Sequence, residues 1–82
     1  TRIEDGDYLI VDSEDINPVN GDVVLSIIDG MANVKRFYKD EENKQIVLTS
    51  ESTYDFPPIY IDQSDDYMLN GKVVQVIKKP RT

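Results

Sequence analysis

Lys35, in the string Val34-Lys35-Arg36-Phe37, is the residue of this sequence best placed for proton-transfer chemistry. A lysine acts as a general base only when its amine is neutral near pH 7, which takes desolvation to lower a lysine pKa by several units. Period-two alternation places Asn33, Lys35 and Phe37 on one strand face and Val34, Arg36 and Tyr38 on the other, so Phe37 offers Lys35 an apolar neighbour. Arg36 cannot take the same role, because a guanidinium stays protonated. Without further context, a lysine in a strand is ordinarily a solvated side chain. The serines within the chain are Ser13, Ser26, Ser50, Ser52 and Ser64. Ser26 lies mid-strand, and the other four fall in polar, loop-like segments where serine is ordinary turn chemistry.

The chain has no histidine and no cysteine. Ser-His-Asp and Cys-His catalysis, histidine- or thiolate-bound zinc and disulfide staples are therefore excluded. Three acidic clusters, Asp12/Glu14/Asp15, Asp40/Glu41/Glu42 and Asp62/Asp65/Asp66, read as solvated loop charge. None fits a calcium loop with glycine at its sixth position and glutamate at its twelfth. Asp5-Gly6-Asp7 and Asn20-Gly21-Asp22 are turn signals and not phosphate-binding loops. No metal or cofactor is expected.

Eighty-two residues make one domain with a modest core. Nine Lys and Arg stand against sixteen Asp and Glu, a formal charge of −7. A domain that gripped DNA through its own surface would carry a basic patch. Here the only concentration of positive charge is Lys78, Lys79 and Arg81, read as a frayed tail. No apolar run approaches the ~20 residues of a membrane span, and the first residues are not a signal peptide. A soluble, cytoplasmic protein is expected.

The elements that must position Lys35 are strands. Val23 to Ile28 and Ala32 to Tyr38 flank Asp29-Gly30, a strong hairpin signal because a tight turn needs φ > 0. Tyr8 to Val11, Gln45 to Thr49 and Ile59 to Ile61 read as further strands. Tyr67 to Leu69 and Val73 to Ile77 supply the last strand or strand pair, on either side of Asn70-Gly71. Lys39 to Lys44 is a charged turn, and Phe56-Pro57-Pro58 excludes helix there. No apolar pattern at helical spacing lasts three turns. The fold class is mainly β, with short strands and hairpins. Val73-Val74 breaks the alternation of a half-solvated strand, which suits a strand covered on both faces or by a second subunit.

These segments, in order, resemble the C-terminal domain of the LexA-like self-cleaving repressors. Thr1-Arg2-Ile3-Glu4-Asp5-Gly6-Asp7 and the apolar run after it look like the segment that follows the family's Ser-Met-x-Pro nucleophile motif. Asn20-Gly21-Asp22 and the hairpin look like the next block. Ile46-Val47-Leu48, with Tyr54 through Ile61, resembles the family's Pro-Glu-Asn and Tyr-x-Pro-Ile stretch, and Leu69 through Lys79 its closing strand. Three differences stand out. The nucleophile motif would fall before Thr1, Asn33 replaces a common threonine, and Thr49-Ser50-Glu51-Ser52 replaces Pro-Glu-Asn.

The resemblance implies a compact fold of the LexA and signal-peptidase type over residues 1–82, incomplete at its N-terminus. It implies Lys35 as the base of a Ser–Lys dyad whose serine lies upstream, so the chain alone is expected to be inactive as a peptidase. It further implies a homodimer, DNA contact only through a separate N-terminal domain, a RecA-like activator of cleavage in the SOS response, and no membrane partner. A UmuD-like polymerase accessory protein, a signal-peptidase relative and a plain β-rich binding module stay open as alternatives.

Overall fold

The computed structural model describes residues 3–50 and 56–80. Their six strands are β1 (Tyr8–Asp12), β2 (Val23–Ile28), β3 (Met31–Asp40), β4 (Gln45–Ser50), β5 (Ile59–Ile61) and β6 (Tyr67–Ile77). They form one antiparallel sheet in the order β1-β6-β2-β3-β4-β5. The described residues contain no helix, so the mainly β expectation holds.

The Asp29-Gly30 hairpin forms as read. Both residues have positive φ, 50° and 80°, which is the backbone of a two-residue type I′ turn. Ile28 faces Met31 across it, and the pairing runs without a break to Val23 and Arg36. The charged turn is shorter than Lys39 to Lys44, because β3 continues to Asp40. There the Asp40 carboxylate accepts hydrogen bonds from the Asn43 side chain at 2.8 Å and its backbone N–H at 3.2 Å. Those bonds hold the Asp40 pKa below its ordinary value.

Cross-strand partners share a sheet face, and one face carries the core. Val24 and Leu48 are fully buried, Phe37 and Ile61 nearly so, and Ile28, Ile46, Ile59, Tyr67 and Leu69 pack around them. Phe37, Leu48 and Ile59 form a continuous ladder across β3, β4 and β5. The cluster also joins Ile61 of β5 to Leu69 of β6, strands far apart in the sheet order. The twisted sheet therefore curls over its own core.

Of the two readings open for the last segment, one strand or a pair, β6 is the single strand. Asn70-Gly71 does not separate two strands, because a single strand runs through it. Leu25 faces Gly71 while Ser26 faces Leu69, which leaves Asn70 as the extra residue of a β-bulge. A second irregularity leaves Val74 without a partner, since Ile10 faces Gln75 and Val11 faces Val73. The adjacent valines thus reflect a bulge and not two covered faces: Val73 and Val76 are half-buried, while Val74 and Ile77 are exposed.

Lys78 and Lys79 are not a frayed tail. The Asp7 carboxylate, almost fully enclosed, accepts the Lys78 ammonium at 2.7 Å, the Lys79 N–H at 2.9 Å and the Glu4 N–H at 2.9 Å. Lys78 also pairs with Glu4 at 3.3 Å. Arg81 lies outside the described residues. The Lys78 bond, followed by the Lys79 and Glu4 N–H bonds, holds the Asp7 carboxyl far below the ordinary carboxylate range. A depressed folded pKa gives stability that is fully present above the unfolded value, about 4, and is lost as pH falls through the folded one. Thermal melts between pH 6 and pH 2 are therefore expected to show a steeper acid-side loss for the wild type than for Asp7→Asn. Parallel curves would remove the clasp from the acid response.

Candidate active site around Lys35

The hairpin register fixes where Lys35 stands. Its strand partners are Val24 on β2 and Ser50 on β4. Phe37, two residues along on the same face, sits in the core with 6% of its surface exposed. Lys35 is half-buried at the margin of that core. The alternation read from the sequence is therefore the alternation of the fold, and Tyr38 is exposed. The Lys35 ammonium lies 5.6 Å from the centroid of the Phe56 ring, a cation–π contact.

The Asn20-Gly21-Asp22 turn braces this strand from its far end. Gly21 N–H donates to the Phe37 carbonyl, and Phe37 N–H donates to the Asp22 carbonyl, both at 2.8 Å. The Asn20 side chain accepts from Lys39 N–H at 2.7 Å. Arg36 donates to the Gly21 carbonyl. The turn thus locks the strand that carries Lys35. Asn33 donates to the Met31 carbonyl at 3.1 Å, so its amide is engaged within its own hairpin.

The serines divide by place. Ser26 is fully buried and donates to the Tyr67 hydroxyl at 3.3 Å. Burial raises the Tyr67 phenol pKa, and the Ser26 bond partly offsets that. No substrate carbonyl reaches a side chain with no exposed surface, so Ser26 belongs to the core. Ser64 is exposed and donates to Asp62 at 2.6 Å. Ser13 is exposed in the turn after β1, and Ser52 lies outside the described residues. Ser50 differs from its loop-like reading: it ends β4, directly across from Lys35.

The acidic clusters cap turns. Asp12 accepts from Glu14 N–H at 3.0 Å and Asp65 from Asp62 N–H at 2.9 Å. Asp62 accepts from the Ser64 hydroxyl and N–H, which lower its pKa. Surface concavities flank the sheet among the described residues. One of about 580 Å³ lies between the β3–β4 turn and the β5–β6 loop, over Ile46, Ile61 and Tyr67. Another, about 310 Å³, lies beside Arg36, Lys72 and Val74. Lys35 lines neither, and stands instead on the sheet's core-side surface. No helix among the described residues is long and apolar enough to cross a membrane.

Nothing in the sequence pattern connects Phe56 with Lys35. No strand periodicity links them, since Phe56 precedes β5 in irregular backbone, and only the adjoining prolines signal a constrained approach.

A model of the Peptidase S24-like family matches residues 1–74. The LexA repressor of Magnetococcus marinus is 36% identical over 75 residues, which cover 92% of this chain and 31% of that protein. The LexA repressor of Desulfitobacterium hafniense is 41% identical over 76 residues, 93% of this chain and 34% of its own. That of Psychromonas ingrahamii is 40% identical over 78 residues, 93% of this chain and 35% of its own. The chain spans about a third of the length of the curated relatives it matches.

Proposed function

The chain belongs to the Peptidase S24-like family, and from that premise we propose that it is the regulatory and dimerisation domain of a LexA-like or phage-type repressor that cuts itself. The carrying observation is Lys35 at the margin of the core, on a strand braced at both ends and facing Val24 and Ser50. In this reading an upstream serine, in a segment preceding Thr1, gives its hydroxyl proton to the Lys35 amine and attacks the scissile linker carbonyl. The resulting ammonium returns the proton to the departing amide nitrogen. Water, deprotonated by the same amine, then releases the acyl group from the serine.

DNA contact in this reading belongs to a separate N-terminal domain, consistent with the charge of −7. The domain joins two such readers, so the second half-site contact becomes effectively intramolecular. Support for a two-fold contact comes from β1 and β6. Tyr8 and Ile77 are register partners, Ile10 lies two residues along, and all three are exposed with Val74 at a sheet edge.

Two preparations, the full-length protein and this chain, check both parts. At alkaline pH the full-length protein is expected to cut its own linker, whereas this chain mixed with a linker peptide leaves the peptide intact. In sedimentation this chain is expected to behave as a dimer at high micromolar concentration. Peptide cleavage that disappears in Ser50→Ala would move the nucleophile into this chain, and a monomer would remove the dimer.

A further inference from the structure

Phe56 is more than half exposed and precedes β5 in irregular backbone. Pro57 and Pro58 restrict the backbone that leads from Phe56 into β5. The ring is thus carried to β3 by a stiff arm, and its face receives the Lys35 ammonium at 5.6 Å.

Among the described residues, little else surrounds that ammonium. On its own strand face its neighbours are Asn33 and Phe37, and across the sheet they are Val24 and Ser50. The charged groups next in the register are Lys72, opposite Val24, and Asp22, two residues before it. These pair with each other at 3.5 Å. No ion pair joins Lys35 to a carboxylate among the described residues.

We propose that Phe56 is a positioning residue that parks Lys35 over its ring in the charged, resting arrangement, and that Lys35 must leave the ring before it can take the serine proton. This rests on the Ser–Lys reading above. An aromatic face attracts an ammonium through its quadrupole and gives no comparable attraction to a neutral amine. The contact therefore favours the state that cannot act as a base. The ring slows cleavage until a conformational change, or the docking of the cleavage segment, draws the amine away.

The test uses Phe56→Leu, which keeps an apolar side chain without a quadrupole, and Phe56→Trp, which strengthens it. In the 82-residue chain, proton NMR is expected to show the Lys35 Hε resonances shifted upfield by the ring. The shift should vanish in Phe56→Leu and persist in Phe56→Trp. In the full-length protein near pH 7, Phe56→Leu is expected to cut itself about two- to fivefold faster than wild type, and Phe56→Trp more slowly. That factor corresponds to an exposed cation–π contact of about 0.5–1 kcal/mol. Absence of the upfield shift in the wild type overturns the contact itself. Equal or slower cleavage by a folded Phe56→Leu, with wild-type cleavage intact, overturns the holding role alone. Absence of cleavage in every variant overturns it together with the Ser–Lys reading.

Discussion

Lys35→Ala in the full-length protein is expected to abolish alkaline self-cleavage, with a loss of about 10²–10⁴-fold or more in rate. Lys35 stands half-buried at the core margin and contributes no buried apolar packing comparable to Phe37 or Leu48. The variant should therefore keep its fold and its oligomeric state, and a melting temperature close to wild type checks that. Lys35→Arg separates base catalysis from charge. It keeps the positive charge and the ring contact, yet a guanidinium does not give up its proton at these pH values. Arginine is thus expected to be as inactive as alanine. The measurement is the first-order disappearance of the full-length band over time at pH 10. Self-cleavage at the wild-type rate in Lys35→Ala would falsify the assignment of Lys35 as the base.

Gly71→Ala is expected to be the most damaging small substitution for stability. Gly71 is buried at the bulge where β6 lies between β1 and β2. A Cβ there would lie 2.6 Å from the Asp12 carbonyl oxygen, 2.7 Å from Val11 Cγ1 and 3.0 Å from Ser13 Cα. Two of these three atoms are backbone, so the overlap is relieved only by moving β1 away from β6. Such overpacking costs about 3 kcal/mol. In a domain of this size that lowers the melting temperature by more than about 10 °C. Gly30→Ala provides the contrast. Gly30 has a φ of 80°, but a Cβ there meets nothing within 4 Å. Its cost is the conformational one alone, about 1–2 kcal/mol. Gly71 has a φ of 155° itself, so both variants carry backbone strain, and melts side by side read the added cost of steric closeness. A Gly71→Ala protein as stable as Gly30→Ala would show that the β1–β6 contact yields easily.

Several parts of this molecule were legible in the residues themselves. Asp29-Gly30 specifies its turn through its own φ angles, and apolar-rich runs flank it on both sides, so the hairpin is a local property of the chain. The side on which Lys35 stands follows from strand alternation alone, because the pleat has a period of two. The family was legible in the order of four blocks, from Thr1 through Asp7, Asn20-Gly21-Asp22 with the hairpin, Ile46 through Ile61, and Leu69 through Lys79, and not in any one of them.

Other features depended on the tertiary structure, and each involves partners that local patterning does not encode. Asn70-Gly71 carries a turn signal, yet β6 stays extended because β1 on one side and β2 on the other supply its hydrogen bonds. Those pairings outweigh the preference of a dipeptide. Ser50 faces Lys35 because the β3–β4 register carries β4 to that position, although the polar residues around Ser50 read as loop. The Asp7 carboxylate meets Lys78 across 71 positions of sequence, at the seam where β1 returns to β6. Phe56 reaches Lys35 from irregular backbone that no periodicity describes. The sequence by itself determined the strand types, the hairpin and the face that holds the candidate base. Which groups surround that base was decided by strand order, register and bulges, since these are set by packing between segments remote from one another in the chain.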